Sequence, residues 1–367
     1  MTPSGRRVTP GVTGGWRAGK RCSFGTACAL QASSGMQASI RLDTIPAGPT
    51  AIRAARSSWA DVLFDGLRAS LAGSRADALL GMQRFVEILA RARAQRDATS
   101  WRSLVSSLRE HRLRALCAED PYTDRASRKP RGYPGDAVLL DFVYQHSDVA
   151  PLVAAATPLG REIHAYTARA SSGARAVRAR RDRIAARIDR VAQRTENARI
   201  LSFGCGHLRE AEQSMAVARG ALAALVAADA DAETAARVAE QWEGTAVRPV
   251  CRSLGQLIRG RASIAGSFDL VYALGLHDYL GARAGRALVA RLFDLTAPGG
   301  TVVIANFLPS FDGAAYMEAM MDCWLVYRDE AELLALARDV PEAELADVQI
   351  DTEPTGSIAF LEITKKR

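Results

Sequence analysis

Apolar positions recur at helical spacing through the first half of the chain and at strand spacing through the second. Trp59, Leu63, Leu67 and Leu71, then Leu79, Met82, Phe85, Val86 and Leu89, each fall on one helical face. Residues 51–95 therefore read as two amphipathic helices joined at Gly73-Ser74. A third helix is expected from Ser100 to about Cys117. The stretch from Asp120 to Asp136 is polar and punctuated by Pro and Gly, the pattern of a loop, and a short helix over Ala137–Tyr144 follows it. Another helix begins near Gly160. A long basic one covers Arg175–Arg194, with Val177, Ile184, Ile188 and Val191 on one face.

After Arg199 the period changes. Apolar runs at 199–203, 222–228, 246–250, 268–274 and 301–307 alternate with helical stretches, the cadence of a parallel sheet covered on both faces. The end departs from this. Leu345–Asp351 and Ile358–Thr364 are separated by a short segment containing Pro354 and Gly356, so the two strands should pair antiparallel and the last should run against the rest. The expected organisation is a helical lid or substrate region over 38–195 and an α/β unit over 196–367. Residues 1–37 read as a disordered tail, as sequence upstream of a true start at Met36, or as a basic leader peptide. No internal repeat is present.

Composition narrows the function classes. With 367 residues and 48% hydrophobic content, the chain can bury a large core. Of the net charge of +8, Arg6, Arg7, Arg17, Lys20 and Arg21 supply five, and most other arginines alternate with alanine and acids. A nucleic-acid surface is therefore not expected. Six scattered cysteines, Cys22, Cys28, Cys117, Cys205, Cys251 and Cys323, form no CxxC pair, which points to free thiols in a reducing cytoplasm and to no metal site. The longest apolar run, Gly220 to Ala228, is too short to span a bilayer. The expected partner is a small-molecule substrate, and the sequence leaves the oligomeric state open.

The chemistry concentrates in Arg199-Ile-Leu-Ser-Phe-Gly-Cys-Gly-His-Leu-Arg-Glu210, where an apolar run flows into two glycines spaced as strand, tight turn and helix start. Such a turn lets a ligand approach bare backbone. Some twenty-five residues on, Ala224-Leu-Val-Ala-Ala-Asp229 repeats the strand and ends in a carboxylate suited to two ribose hydroxyls. An adenosine-containing ligand follows from the pair.

These features resemble the class I methyltransferases that use S-adenosyl-L-methionine (SAM). The resemblance covers roughly 195–367 and implies a Rossmann-like seven-stranded sheet with a reversed last strand, preceded here by a helical lid. It also implies SAM as the cofactor. That family's first strand usually ends acid-x-Gly-x-Gly; Gly204 and Gly206 match, but Ser202 occupies the acidic position and offers a neutral hydroxyl. Glu210 is the expected replacement for the missing charge, and Glu212 the acid of a helix start. By the resemblance, Asp229 holds the ribose and Ser253 and Leu254 lie near the adenine. The segment Phe268–Tyr279 would face the transferable group, bringing Tyr272, His277, Asp278 and Tyr279 near the sulfonium. Tyrosine faces can stabilise that cation, and His277 could act as a base or be structural.

A second signature, Asp120-Pro-Tyr-Thr-Asp-Arg-Ala-Ser-Arg-Lys-Pro-Arg-Gly-Tyr-Pro-Gly-Asp136, together with Gly206–Glu212 and Asn306-Phe-Leu-Pro309, resembles a bacterial subgroup that includes proteins assigned to 3-hydroxypalmitic acid methyl ester synthesis. In that subgroup a histidine stands where this chain has Leu308, and an aromatic residue where it has His277. The resemblance extends to enzymes that cyclise SAM to azetidine-2-carboxylate and methylthioadenosine. Three readings follow: a methyltransferase of secondary or small-molecule metabolism, with Tyr133 closing a loop over the site; a SAM cyclase in which Tyr122, Tyr133 or Tyr166 holds the sulfonium; and a SAM-binding protein without chemistry. For the cyclase, an uncharged Ser202 would help keep the SAM amine neutral.

Overall fold

The computed structural model describes residues 6–8, 49–262 and 264–367, with side chains from Trp59 onward. Seven strands, β1 (Arg199–Phe203), β2 (Ala224–Asp229), β3 (Val247–Cys251), β4 (Phe268–Ala273), β5 (Thr296–Phe307), β6 (Leu345–Thr352) and β7 (Ile358–Lys365), form one sheet in the order β3-β2-β1-β4-β5-β7-β6. The first five run parallel to one another. β7 runs antiparallel to both β5 and β6, the single reversal expected from the short connection between β6 and β7. This is the fold that the class I resemblance implies. Arg6–Val8 adds a three-residue antiparallel strand beside β6. The remainder of the expected leader, 1–37, lies outside the described residues, as do Cys22 and Cys28.

Alternation along the strands sorts side chains between two cores. Ile200, Leu270, Tyr272, Val303 and Ala305 face one side of the sheet; Leu201, Val271, Ala273, Val302 and Ile304 face the other. The long helix Ser172–Arg194 covers the first side through Ala176, Val177, Ile184 and Ile188. Its Arg183 and Arg187 pair with Glu362 of β7, so this last helix of the helical region packs as part of the α/β layer. The helix Ala282–Asp294 covers the second side with Leu288, Val289, Leu292 and Phe293.

Pro49–Leu71 and Arg75–Ala94 are joined as expected at Gly73-Ser74, where Ser74 and Asp77 form a reciprocal capping box. The third helix is broken in two, Ala98–Glu110 and Arg112–Cys117. His111 adopts extended backbone at the break, and its Nδ1 accepts the Leu113 amide at 3.1 Å. The segment expected to be entirely loop contains a helix, Pro121–Arg128: Asp120 accepts the amides of Tyr122 and Thr123, and proline occupies the first turn. The chain between β5 and β6 also crosses over. Its helix Ala314–Met320 inserts Ala315, Tyr316 and Ala319 into the core of the helical region, where Glu318 accepts from Trp101 Nε1 at 2.6 Å and from Arg93 at 2.8 Å. The two parts of the molecule therefore share a core.

Candidate active site

The turn after β1 is built without side chains at its two bends. Gly204 and Gly206 take φ of +70° and +53°, and a Cβ on Gly204 would also stand 2.9 Å from Leu276 Cγ in the loop after β4. Asp229 braces this turn from the end of β2. One of its oxygens accepts the Gly206 amide at 3.0 Å and the other the Asp231 amide at 3.0 Å. A carboxylate has about four lone-pair sites, so this use leaves capacity for two vicinal hydroxyls. Asp231 caps the helix Ala232–Gln241.

Ser202 and Glu210 meet beneath the turn. Ser202 lies beside Tyr272 across β1 and β4, and the Tyr272 hydroxyl donates to Glu210 Oε1 at 2.8 Å. Burial pushes the Glu210 carboxyl up; hydrogen bonds from Tyr272 and Ser202 and the charge of Arg180 hold it back. Glu210 thus brings a carboxyl to the neighbourhood of the position where Ser202 lacks one. Tyr272 is buried in the core and oriented toward Glu210, a supporting position behind the turn. Glu212 does not begin a helix. Leu208 at φ +55° turns the chain, only a single 3-10 turn, Ala211–Gln213, follows, and the Glu212 carboxylate accepts from Arg209 and Gln241 at 2.6 Å each.

The loop after β4 separates its residues. Asp278 is buried, accepts the Phe307 amide on Oδ1 at 2.8 Å, and forms part of the wall of a cavity between the helical region and the sheet. Burial raises its carboxyl to about 6, against the opposing pull of the Phe307 amide, Arg180 and Arg328. Tyr279 also lines the cavity, with its hydroxyl 3.9 Å from Cys323 Sγ. His277 does not. It is fully buried, neither ring nitrogen makes a hydrogen bond of ordinary geometry, and its ring stands against the Gly285 backbone, outside the cavity wall. Burial and the nearby Arg328 lower its pKa to about 3, so the ring stays neutral. This geometry does not suit a base acting at the cavity; Asp278, the next residue, has the burial, position and proton affinity for that work. The sequence had grouped the two together, because spacing alone cannot say which side of an irregular loop a residue faces.

The cavity is mostly apolar, walled by Tyr122, Leu139, Tyr166, Phe311, Tyr316 and Met317. Arg180 enters it from the long helix. It is 4% exposed, its Nη1 donates to the Leu274 carbonyl at 2.7 Å, and its Nε has no partner. An incompletely bonded buried guanidinium is the donor one expects opposite a ligand's carboxylate. Sequence reasoning missed Arg180, since nothing distinguishes it from its many helical neighbours.

The segment Lys129–Asp136 forms a strap beside the cavity, with Gly135 in its wall. Arg125 grips Asp136 with three contacts of 2.7–3.1 Å, and Arg131 reaches Asp231 at 2.7 Å, Glu233 at 2.9 Å and Thr234 at 2.8 Å. Tyr133, between them, is exposed; burial of part of its ring and the charges of Asp229, Asp136 and Asp231 raise its hydroxyl to about 12. Gly135 leaves room for the Tyr279 hydroxyl, which a Cβ there would overlap. Beside the strap, a buried latch ties the helix Ala137–Tyr144 to the glycine turn: Asp141 accepts from His207 Nδ1 at 2.7 Å and from Arg209 Nε and Nη2 at 2.7 and 3.0 Å. Asp141, His146 and Asp148 lie close enough to hold a metal ion, but Arg209 and Arg237 already neutralise the two carboxylates.

Ser253 caps the helix Leu254–Ile258 through a capping box with Gln256, and Leu254 packs on the second core. Their backbone borders the region beyond β3, while the Ser253 hydroxyl is occupied by the helix. Taken together, the side-chain-free turn, the Asp229 carboxylate and the orphaned Arg180 nitrogen fit a ligand with a ribose and an amino-acid end. Among the described residues, no helix is long and apolar enough to cross a membrane.

No protein-family model and no curated protein matches the chain. Among solved structures it is similar to a "possible exported protein" from Bordetella parapertussis, at 17% identity and a TM-score of 0.52, over 80% of this chain and 98% of that one. It is also similar to the N-methyltransferase NodS of Bradyrhizobium japonicum WM9, at 15% identity and a TM-score of 0.37, over 52% of this chain and 97% of that one. A third is the SAM-bound magnesium protoporphyrin IX methyltransferase ChlM of Synechocystis PCC 6803, at 13% identity and a TM-score of 0.37, over 53% and 82%. At these identities the likeness is one of fold.

Proposed function

We propose that the chain is an enzyme that binds SAM across the turn after β1 and transfers its methyl group to a small molecule held in the cavity under the helical region. The observation that carries this reading is the Arg180 guanidinium with a free Nε and the Asp278 carboxyl in the wall of one cavity, next to the bare turn at Gly204–Gly206 with its Asp229, which follows the neighbouring strand β1 and meets Leu276 of the loop after β4. SAM supplies an electrophilic methyl carbon on a sulfonium. The protein's task is then to orient, exclude water and receive a proton. Asp229 would accept from the ribose hydroxyls, Arg180 would hold the amino-acid carboxylate, and Tyr122, Tyr166 and Tyr279 would present ring faces or hydroxyls to the cation.

The SAM cyclase reading is the alternative: an uncharged Ser202 would help keep the SAM amine neutral, while the nearby Glu210 carboxyl, which burial pushes up, would favour the protonated amine only when ionised. Calorimetry with SAM and S-adenosylhomocysteine, followed by mass spectrometry of protein incubated with SAM alone, tests the proposal. Binding of both with SAM left intact is the expected result. Methylthioadenosine with azetidine-2-carboxylate would establish the cyclase, and absence of binding would refute the SAM reading outright. Binding without S-adenosylhomocysteine formation in the presence of cell extract would return the chain to the non-catalytic class.

A further inference from the structure

The wall of the cavity constrains what can accept the methyl group. Its surfaces from the helical region and from the chain between β5 and β6 are aromatic and apolar, with Tyr122, Tyr166, Phe311, Tyr316 and Met317 around the space. At the sheet end Asp278 carries, among the described residues, the only buried carboxylate of the cavity wall; the other acid there, Asp312, is exposed and bonded to Ser172. One Asp278 oxygen is held by the Phe307 amide, and the other has no hydrogen-bond partner among the described residues. The groups facing it are Arg180 from the long helix, Arg328 after β5, and the neutral Tyr279, Tyr327 and Cys323. Arg328 is fully engaged with the His277 and Leu280 carbonyls and with Asn306 Oδ1.

A carboxylate acceptor would bring a like charge against Asp278 in a desolvated site. An aliphatic amine would be kept protonated by the same group and lose its nucleophilicity. An aliphatic alcohol is too weak an acid for a carboxylate to deprotonate. A phenol, with a pKa near that of tyrosine at about 10, has a proton within reach and a ring that matches the aromatic wall.

The geometry points to a phenol as the acceptor, with Asp278 as the group that takes its proton. This rests on the SAM reading above. As the phenolic oxygen bonds to the methyl carbon, the S–CH3 bond breaks and its electron pair returns to sulfur, leaving a neutral thioether; the phenolic proton passes to the Asp278 carboxylate.

The test is a matched pair of probes, 4-propylphenol and 4-propylbenzoate, titrated calorimetrically into the full chain saturated with S-adenosylhomocysteine. At pH 7.5 the phenol is expected to bind at least about tenfold more tightly than the benzoate, the effect of a desolvated like-charge contact. That ratio should fall to within about threefold in Asp278→Asn, and likewise in the unaltered protein at pH 5, where Asp278 takes up a proton. With SAM in place of the homocysteine analogue, the phenol should yield its methyl ether, with a rate that rises through about pH 6 in the unaltered protein only. Benzoate binding equal to or tighter than phenol binding at pH 7.5 would overturn the inference, as would no binding of either probe. The pH 5 arm needs no mutant, so a misfolded Asp278→Asn would not protect it. Failure of S-adenosylhomocysteine itself to bind would instead sink the donor reading.

Discussion

Two buried charged clusters flank the glycine turn, and they are completed to different degrees. On the strap side, Arg209 spends its guanidinium on Asp141, Asp148, Glu212 and Gln241, and His207 adds a second donor to Asp141, so the charges are matched although His207 Nε2 has no partner. Burial pushes the Asp141 carboxyl up, but His207 and Arg209 hold it below the usual carboxylate range. On the cavity side, Arg180 keeps an unpaired Nε, Glu210 and Asp278 both sit above the usual range, and one Asp278 oxygen is uncommitted. A cluster whose charges are already matched holds two parts of the fold together. A cluster left short of partners has interactions in reserve for something that arrives later.

The comparison breaks most visibly at Arg209. Arg209→Met would strand the buried Asp141 without its main partner, and we expect a loss of about 3–5 kcal/mol in unfolding free energy by urea titration. A loss under about 1 kcal/mol would mean that the latch contributes little and that the two clusters do not differ as argued. The opposite signature is expected at Asp229→Ala: SAM affinity should weaken by about 1–3 kcal/mol through lost charged hydrogen bonds, read by calorimetry. Unchanged affinity would remove the ribose assignment.

His277 sharpens the contrast because it is incomplete yet faces no cavity. Its pKa of about 3 in the fold lies below the ordinary 6.5, so the unfolded chain binds the extra proton and stability drains away as pH falls from about 6.5 toward 3. Between pH 6.5 and 5 this amounts to about 2 kcal/mol. His277→Leu should abolish that part of the acid sensitivity while leaving stability at pH 7.5 the same or higher, since two unpaired ring nitrogens leave the core. An unchanged pH dependence in denaturation curves would show that the ring has a partner in solution.

How far the sequence reached depends on whether the responsible force was local. Period, glycine spacing and the short link between Leu345–Asp351 and Ile358–Thr364 are local signals, and they carried the parallel strands and the one reversal, whereas the order of the strands in the sheet comes from long-range pairing. The Asp229 carboxylate was legible because a strand end determines where it projects. His277 and Asp278 were not separable, because one loop turn decides which faces the cavity. Arg180 was invisible for a different reason: its place in the cavity wall is set by Leu274 and Asp278, which lie some ninety residues away in the chain. The helix Pro121–Arg128 was hidden by its own proline, read as a breaker when it stands in the first turn behind the Asp120 cap.

The mildest perturbation tests the strap that joins the two clusters. Arg131 carries contacts to Asp231, Glu233 and Thr234, but Glu233 is largely exposed, so the grip is worth only about 1 kcal/mol. Asp231 lies two residues from the carboxylate assigned to the ribose, and Tyr133 follows Arg131 after a single glycine at φ +84°. Removing the grip should free the strap at that glycine without disturbing the Arg125–Asp136 anchor behind it. Arg131→Ala is therefore expected to speed release of S-adenosylhomocysteine roughly fivefold in stopped-flow displacement, with a melting temperature within a few degrees of the unaltered protein. Equal release rates would make the strap a fixed connector. A large fall in melting temperature would assign Arg131 to the structural cluster, and the boundary between the two would have to be redrawn on the far side of the strap.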